Sequence, residues 1–244
     1  MISVFGITDK GILRRSNQDA CASAVLGPKR AWGVVCDGMG GANAGDIASK
    51  MAVETFGGQM EKLKGLLPRL REGELLVKAA EEANEAIFLR AQSDPACEGM
   101  GTTMVGALVW DKTLWVSNVG DSRAYLVRKE EIRRLTRDHS LVEDLIAQGK
   151  LTPEQARRHP QRNLITRALG TTPKVKADLF RETAHKGDVI LLCSDGLVNE
   201  ASDEEICRDI LSGGTPEDVA RRLLKRTLDR GAQDNVTIVV FQLS

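Results

Sequence analysis

Four aspartates stand in settings where a carboxylate is unusual. Asp37 and Asp195 each directly follow a short apolar run, Asp234 stands two residues before another, and Asp19 ends a polar string that contains two arginines. Aspartate disfavours strands and a buried unpaired carboxylate is costly, so such positions need solvent, a turn hydrogen bond or a cation. Asp-Gly and Asp-Asn pairs also form ordinary turns, which is the simpler explanation for any one of them. The four together favour a shared cation site.

The kind of cation follows from the other ligand types in the chain. The three histidines are His139, His159 and His185, and none is spaced from a cysteine or another histidine as zinc ligands are. The five cysteines are scattered without a C-x-x-C pair, which predicts reduced thiols. Carboxylate and carbonyl oxygens are the ligands that Mg²⁺ and Mn²⁺ prefer. The sequence therefore predicts an oxygen-ligand site for hard divalent ions.

The segments around these aspartates predict both strands and helices. Apolar residues recur at helical spacing over 44–56 and 74–92, so two helices are expected after the first strand. Four short β-rich runs between 103 and 135 predict a meander of antiparallel strands. Capping boxes at Ser202 and Thr215 open two further helices, and a last strand follows them.

This order of elements predicts an α+β layered fold, because it lacks the strict alternation of strand and helix that makes a parallel sheet. One domain over residues 1–244 is expected, since single domains of this length are common. The segment from about 138 to 170 is more polar, contains a capping box at Thr152, and is expected to be a surface excursion with short helices.

The composition narrows the classes of partner. The 34 basic and 34 acidic side chains cancel, so no bulk charge points to nucleic acid or to a membrane surface. The sequence has no apolar run of membrane-spanning length and no signal-peptide pattern at its start. A soluble, cytoplasmic protein is expected.

Eight short strings, most of them built around aspartate, glycine or arginine, follow one another along the chain. They are Arg14 to Asp19, Asp37 to Gly41, Gly101 to Thr103, Val119 to Tyr125, Asp138 to Val142, Ile165 to Gly170, Cys193 to Leu197 and Asp234 to Thr237. In this order they resemble the protein phosphatase 2C (PPM) family in its compact bacterial form. One such string is a weak signal, but eight that span nearly the whole chain are very specific.

The resemblance implies a central sandwich of two antiparallel β-sheets flanked on each side by helices, with the 138–170 segment as a flap. It also implies a centre for two divalent ions, Mn²⁺ or Mg²⁺. Asp37 would bridge the two ions, and the carbonyl of Gly38 would bind one of them. Asp195 and Asp234 would complete the other.

The resemblance gives three more residues a role. Asp19 would hold metal-bound water, and Asp121, with Asp195, would form a third and weaker metal site. Arg14 stands where the family places its phosphate-binding arginine, and its planar guanidinium suits phosphate oxygens. Arg14, Asp19 and Asp37 are therefore the expected catalytic residues. An ordinary surface ion pair is the alternative for Arg14.

The implied activity is hydrolysis of phosphoserine and phosphothreonine in proteins, opposite a bacterial Ser/Thr kinase. Arg14 and the four aspartates sum to minus three without metal and to plus one with two divalent ions, so metal-dependent activity is expected. Two alternatives stay open. One is a catalytically silent module that binds phosphoproteins, and the other is a phosphatase for an anti-sigma-factor antagonist or a small phosphometabolite.

Several positions depart from the family's pattern. Met39 stands where some relatives have a histidine that is a candidate general acid, and Ala42-Asn43 and Gln18 replace a histidine and a glutamate common in other members. His139 and His159 are only weak candidates for the acid, because surface histidines are usually just solvated, so no acid is assigned.

The flap carries exposed basic residues that have two possible explanations. Arg157, Arg158 and Arg162 would either contact a phosphoprotein or keep the surface soluble.

Overall fold

The computed structural model describes residues 1–40, 44–63 and 72–244. Gly41 and the Ala42-Asn43 departure lie outside the described residues. The strands found there are β1 (Ile2–Asp9), β2 (Asp19–Gly27), β3 (Arg30–Met39), β4 (Gly101–Thr102), β5 (Met104–Trp110), β6 (Thr113–Val119), β7 (Arg123–Arg128), β8 (Glu131–Arg134), β9 (Asp178–Thr183), β10 (Val189–Cys193) and β11 (Val236–Leu243). The α-helices are α1 (Ala44–Glu61), α2 (Glu72–Ser93), α3 (Leu141–Ala147), α4 (Pro153–Arg157), α5 (Asp195–Val198), α6 (Asp203–Leu211) and α7 (Pro216–Asp229).

The strands form two antiparallel sheets that pack face to face. One has the order β1-β11-β10-β7-β8, and the other has the order β2-β3-β5-β6-β9 with β4 paired to β3. Helices α1 and α2 cover the outer face of the second sheet, and α5, α6 and α7 cover the outer face of the first. The predicted sandwich with helices on each side is therefore correct. None of the helices in the described residues is long and apolar enough to cross a bilayer.

Strand β3 shows how the layers are built. Its side chains alternate, as strand geometry requires, so Val35 packs between the sheets near Phe241, whereas Val34 and Cys36 pack against the helices. Both faces are buried, which is why the segment is apolar on every residue from Val34 to Cys36. At the C-terminal end of β3, this strand and its neighbours bring polar residues together.

The predicted meander is wrong in one respect. Strands β5 and β6 pair, and β7 and β8 pair, but β6 and β7 belong to different sheets. The turn at 120–122 takes the chain from the sheet that contains β6 to the sheet that contains β7. Gly120 has φ +106°, and a Cβ on it would lie 2.6 Å from the Cβ of Thr103. A short polar turn has the same sequence signature whether the next strand pairs or crosses over, so the pattern did not reveal the crossing.

Two aspartates do not end their strands as predicted. Asp37 lies within β3, which continues to Met39, and Asp195 is the first residue of α5. Three helices rather than two therefore follow β10. The capping boxes predicted at Ser202 and Thr215 are both present and open α6 and α7.

The glycines after these aspartates allow another stretch of backbone to approach closely. A Cβ on Gly38 would lie 2.0 Å from the carbonyl oxygen of Gly45, and one on Gly196 would lie 2.0 Å from the carbonyl oxygen of Asn235. Neither glycine has a left-handed φ. The Asp-Gly pairs are thus places where a second stretch of backbone packs directly on β3 and on the start of α5, and not turns.

The polar excursion folds as two short helices, α3 and α4, the second opened by the predicted capping box at Thr152. Isolated bridges between Ser140 and Ile165 and between Thr102 and Leu169 tie its two ends to each other and to the sandwich. The flap therefore leaves and rejoins the fold at one place.

Candidate active site

The first two aspartates face each other across neighbouring strands. Asp19 at the start of β2 and Asp37 near the end of β3 are direct partners in the ladder, so their side chains share one face of the sheet. The backbone N–H of Asp37 donates to Oγ1 of Thr103 at 2.9 Å, and Thr102 donates its hydroxyl to the Asp37 carbonyl. These contacts fix the end of β3 against β4 and β5.

Asp19 is held by a residue of the opposite sheet. The Ser194 hydroxyl donates to Oδ2 of Asp19 at 2.7 Å, and the backbone N–H of Thr237 donates to that hydroxyl oxygen at 2.9 Å. Ser194 directly follows β10, and Thr237 lies in β11. One hydroxyl thus joins the ends of three strands from two sheets beneath the aspartates.

Asp195 lies next to Ser194, at the N-terminus of α5, where the helix dipole favours a negative charge. The Asn199 side chain donates to its Oδ2 at 3.1 Å. The charge of Asp195 helps to raise the pKa of Asp37, so these two carboxyls from different sheets are electrostatic neighbours.

Asp234 is joined to Arg14 at the rim of the site. Nη2 of Arg14 donates to Oδ2 of Asp234 at 2.6 Å, and the Arg14 side chain is 53% exposed. The neighbouring Asn235 holds the loop that carries Arg14, because its side chain accepts from the N–H of Gln18 and donates to the carbonyls of Lys10 and Ser16. The Asp234-Asn235 pair therefore positions the Asp234 carboxylate and the Arg14 guanidinium next to each other.

Asp121 lies in the turn where the chain crosses between the sheets. The residue before it, Gly120, donates its N–H to Nδ1 of His139 at 3.0 Å and accepts from the N–H of His139 at 2.9 Å. Nε2 of His139 contacts Asp178 and Arg167. His139 is thus buried and fully engaged, and the expectation that it is a solvated surface histidine was wrong.

The pKa values of the grouped aspartates are raised. Burial, with smaller contributions from Asp195 and Asp234, raises the pKa of Asp19 to about 7. Burial, with the charges of Asp195 and Asp138, raises the pKa of Asp121 to about 8. The pKa values of Asp37 and Asp195 are also raised, first by burial and then by the neighbouring carboxylates. The group resists full ionisation on its own, as like charges in a confined site do.

A bound cation would offset the repulsion between these buried carboxylates, and the ligand atoms present suit a cation. Oδ1 of Asp19 and Oδ1 of Asp195 are buried without a hydrogen-bond partner among the described residues. Buried polar atoms are nearly always satisfied, so two orphaned carboxylate oxygens in one group suggest a missing positive partner. The donors are all oxygens, which suits Mg²⁺ or Mn²⁺.

Three of the carboxylates accept hydrogen bonds from other side chains of the chain. Across residues 1–40, 44–63 and 72–244, no group of three or more His, Cys, Asp or Glu side chains stands ready to hold an ion. Each of these carboxylates accepts a hydrogen bond from one side chain: Asp234 from Arg14, Asp19 from Ser194 and Asp195 from Asn199.

A cleft of about 960 Å³ opens beside this group. Asp121, Asp195, Asp234 and Arg14 line one side of it, and residues of the flap line another. Asp19 and Asp37 are not lining residues and lie behind Asp195, whose charge acts on both of them.

Sequence reasoning did not identify the residues that hold the aspartates. Ser194, Thr237 and Asn235 are buried polar residues next to predicted ligands, and His139 is a buried polar residue at the base of the flap. Their only sequence signal was a polar residue beside an aspartate at a strand end, since their partners are distant along the chain.

Comparison with known proteins agrees with the motifs. The family described as protein phosphatase 2C matches residues 14–235. The serine/threonine phosphatase stp of Listeria innocua is 37% identical over 235 residues, covering 96% of this chain and 93% of the relative. The S. agalactiae serine/threonine phosphatase structure has a TM-score of 0.92 at 33% identity, with both chains covered completely.

A further solved structure is the catalytic domain of the serine/threonine protein phosphatase PstP in complex with two manganese ions. It has a TM-score of 0.87 at 33% identity, and the match covers 100% of this chain and 99% of that one. The resemblance inferred from the eight strings is thereby confirmed. The chain belongs to the protein phosphatase 2C family and is a protein serine/threonine phosphatase.

Proposed function

We propose that the chain hydrolyses phosphoserine and phosphothreonine in proteins at a binuclear Mn²⁺ or Mg²⁺ centre, in opposition to a Ser/Thr kinase. The observation that carries the proposal is the grouping of Asp19, Asp37 and Asp195 with raised pKa values and two orphaned carboxylate oxygens. The manganese-bound PstP structure, similar over the full chain, supports a two-ion centre. Phosphoprotein substrates follow from the named activity of the relatives.

Four residues would hold the two ions. Asp37, which lies opposite Asp19 in the ladder and whose pKa is raised by the charge of Asp195, would bind both ions, and the Gly38 carbonyl would bind one of them. Asp195 and Asp234 would complete the set, and each now accepts from a neutral or cationic donor of the chain itself. When bound, two divalent ions lower the pKa of water and offset the charge of a phosphoryl group during in-line attack.

The remaining residues orient water and phosphate. Asp19, anchored by Ser194, presents its free Oδ1 as a hydrogen-bond acceptor for water. Arg14 is exposed at the rim, and its guanidinium would exchange Asp234 for phosphate oxygens, which it can bind bidentately. Asp121 with Asp195 would form a third and weaker ion site, because the charge of Asp195 raises the pKa of Asp121. No side chain is assigned as the acid for the leaving group.

The test is hydrolysis of p-nitrophenyl phosphate and of a phosphothreonine peptide by the purified chain. Activity is expected with Mn²⁺ or Mg²⁺ and is expected to disappear in chelator. Asp37→Asn should lower kcat by at least about 100-fold, because it removes the central ligand. Asp111→Asn, at a turn remote from the cleft and with a left-handed φ that asparagine accepts, should behave as wild type. Full turnover in chelator, or an active Asp37→Asn, would refute the two-ion mechanism.

Arg14 is tested separately through its effect on binding. Arg14→Lys keeps the charge but loses the bidentate geometry, so it should raise KM for the phosphopeptide more than it lowers kcat. An unchanged KM would show that Arg14 is only the surface ion pair of Asp234.

A further inference from the structure

The cleft beside the aspartates has two sides that differ in how their arginines are neutralised. On the side of the sandwich, the cleft-lining arginines each have a carboxylate partner in the chain. The pairs are Arg14 with Asp234, Arg123 with Asp138, Arg134 with Asp138 and Glu143, and Arg230 with Glu205. These charges belong to the fold and are not available to a ligand without breaking a pair.

The flap side of the same cleft is different. Arg157 and Arg162 line it, are exposed, and form no ion pair with any carboxylate in the described part of the chain. Arg158 has one partner, Glu154, at 3.6 Å, and both side chains are more than 80% exposed. An exposed pair of this kind contributes little and dissociates readily. The flap thus presents toward the cleft a positive surface without close ion pairs at Arg157 and Arg162 among the described residues, although the charge of Arg157 also lowers the pKa of Glu204 in α6.

Local structure does not account for this surface. Arg157 is in the last turn of α4, where a cation favours the helix dipole, but Arg162 lies beyond the helix, and its only described backbone hydrogen bond is to His159. Solubility does not require that exposed arginines line a cleft shared with Asp195 and Asp234. Their shared location with the aspartates indicates a ligand that reaches both.

The size of the cleft fits such a ligand. At about 960 Å³ it is at the upper end of the range for pockets that hold a whole small molecule, so one phosphorylated side chain would fill only part of it. A peptide whose phosphoryl group lies at Asp195 and Asp234 would pass along the flap with neighbouring residues. An anionic group on those residues would meet Arg157 and Arg162.

We propose that Arg157 and Arg162 form an anion subsite that selects phosphopeptides with a second acidic group near the phosphorylated serine or threonine. The group recognised is a carboxylate or a second phosphate, since both present oxygens that a guanidinium binds. This inference rests on the proposed function and names its substrate class. Arg158 adds to the field of the subsite when its pair with Glu154 opens.

The experiment compares kcat/KM for four phosphothreonine peptides of one length with Mn²⁺. One has neutral flanks, one has glutamates on the N-terminal side, one has them on the C-terminal side, and one has a second phosphoserine in place of the glutamates. Wild type should prefer at least one acidic peptide over the neutral one by about tenfold at low salt, which corresponds to two exposed ion pairs. The preference should shrink as salt is raised.

The variants assign the preference to the flap. The double variant R157A/R162A should lose about tenfold in the ratio of acidic to neutral kcat/KM, and the charge reversal R157E/R162E should invert that ratio. Arg208→Ala, which removes an exposed arginine of α6 outside the cleft, should keep the wild-type ratio. The glutamate and phosphate peptides show which anion is preferred.

The failures are distinguishable. If wild type hydrolyses none of the peptides and no p-nitrophenyl phosphate, the proposed function is wrong. If it hydrolyses all four peptides equally well, or if R157E/R162E and Arg208→Ala retain the same preference as wild type, the subsite is wrong although the phosphatase activity stands.

Discussion

At the scale of single residues, the Ser194 hydroxyl is the link between the aspartates and the two sheets. It donates to Asp19 and accepts from the N–H of Thr237, so its removal leaves a buried carboxylate oxygen and a buried N–H without their partner. Ser194→Ala should lower the free energy of unfolding by about 1–3 kcal/mol, measured by urea denaturation. Ser212→Ala, which removes an exposed hydroxyl at the end of α6, should change it by less than about 0.5 kcal/mol. Equal effects of the two variants would contradict this role.

His139 should make stability depend on pH. Burial, and then the charge of Arg167, lower its pKa below the ordinary value of 6.5, against the opposing effect of Asp178. The unfolded chain therefore takes up a proton near pH 6.5 that the folded chain resists, and stability falls as the pH drops below that value. The difference in unfolding free energy between wild type and His139→Gln should shrink from pH 7.5 to pH 5.5.

The control for this experiment is His185→Gln, because His185 is exposed. The same pH series on His185→Gln gives the comparison for a histidine that the fold leaves exposed. A wild-type advantage over His139→Gln that grows on acidification would mean that the folded state prefers the protonated imidazole.

Residue types alone identified the aspartates but not the residues that hydrogen-bond to them. An aspartate at the end of an apolar run is physically unusual, so Asp37, Asp195 and Asp234 could be selected from the sequence. Ser194 and Asp19 are 175 positions apart, and serine is common everywhere, so nothing local marks this pair. Which of the selected carboxylates bind metal stays a prediction.

At the scale of elements, the glycine after Asp37 determines how closely β3 and α1 approach. A Cβ on Gly38 would lie 2.0 Å from the Gly45 carbonyl oxygen and 2.5 Å from that of Gln18. Gly38→Ala should therefore destabilise the protein by several kcal/mol, roughly 2–4, since backbone on both sides must move. Gly27→Ala, at the end of β2 with nothing within 4 Å of the added Cβ, should be nearly neutral. Thermal unfolding of the two variants tests this, and a stable Gly38→Ala would show that α1 moves freely.

Periodicity predicted most elements, because helices and strands that bury one or two faces must repeat their apolar residues. Helices α1, α2, α6 and α7 were found this way, and their capping boxes located two of their starts. The pairing of strands was not accessible in the same manner. The turn around Gly120 has an ordinary sequence, and only the packing of the two sheets determines that the chain crosses there.

At the scale of the whole molecule, the sandwich brings strand ends from both sheets to one place and concentrates negative charge there. Asp19 and Asp37 come from one sheet, and Asp195 and Asp234 adjoin strands of the other. Raised pKa values mean that ionising these carboxylates opposes folding, so the metal-free protein should lose stability as the pH rises from about 3.8 to about 7 or 8 and change little from this source above that range. The site thus costs stability that a bound cation would restore.

Metal binding should therefore appear as a thermal shift of the entire fold. A ligand that binds only the folded state stabilises it by about 2.7 kcal/mol at 100 times its Kd, so saturating Mn²⁺ should raise Tm by roughly 5–10 °C for a chain of this size. Asp37→Asn should show a much smaller shift, and without metal at pH 8 it should be at least as stable as wild type, because it removes a charge that the site disfavours. Asp111→Asn should retain the full shift. Equal Mn²⁺ shifts in Asp37→Asn and wild type would place the ions elsewhere, whereas a metal-free Asp37→Asn less stable than wild type would mean that this carboxylate supports the fold directly.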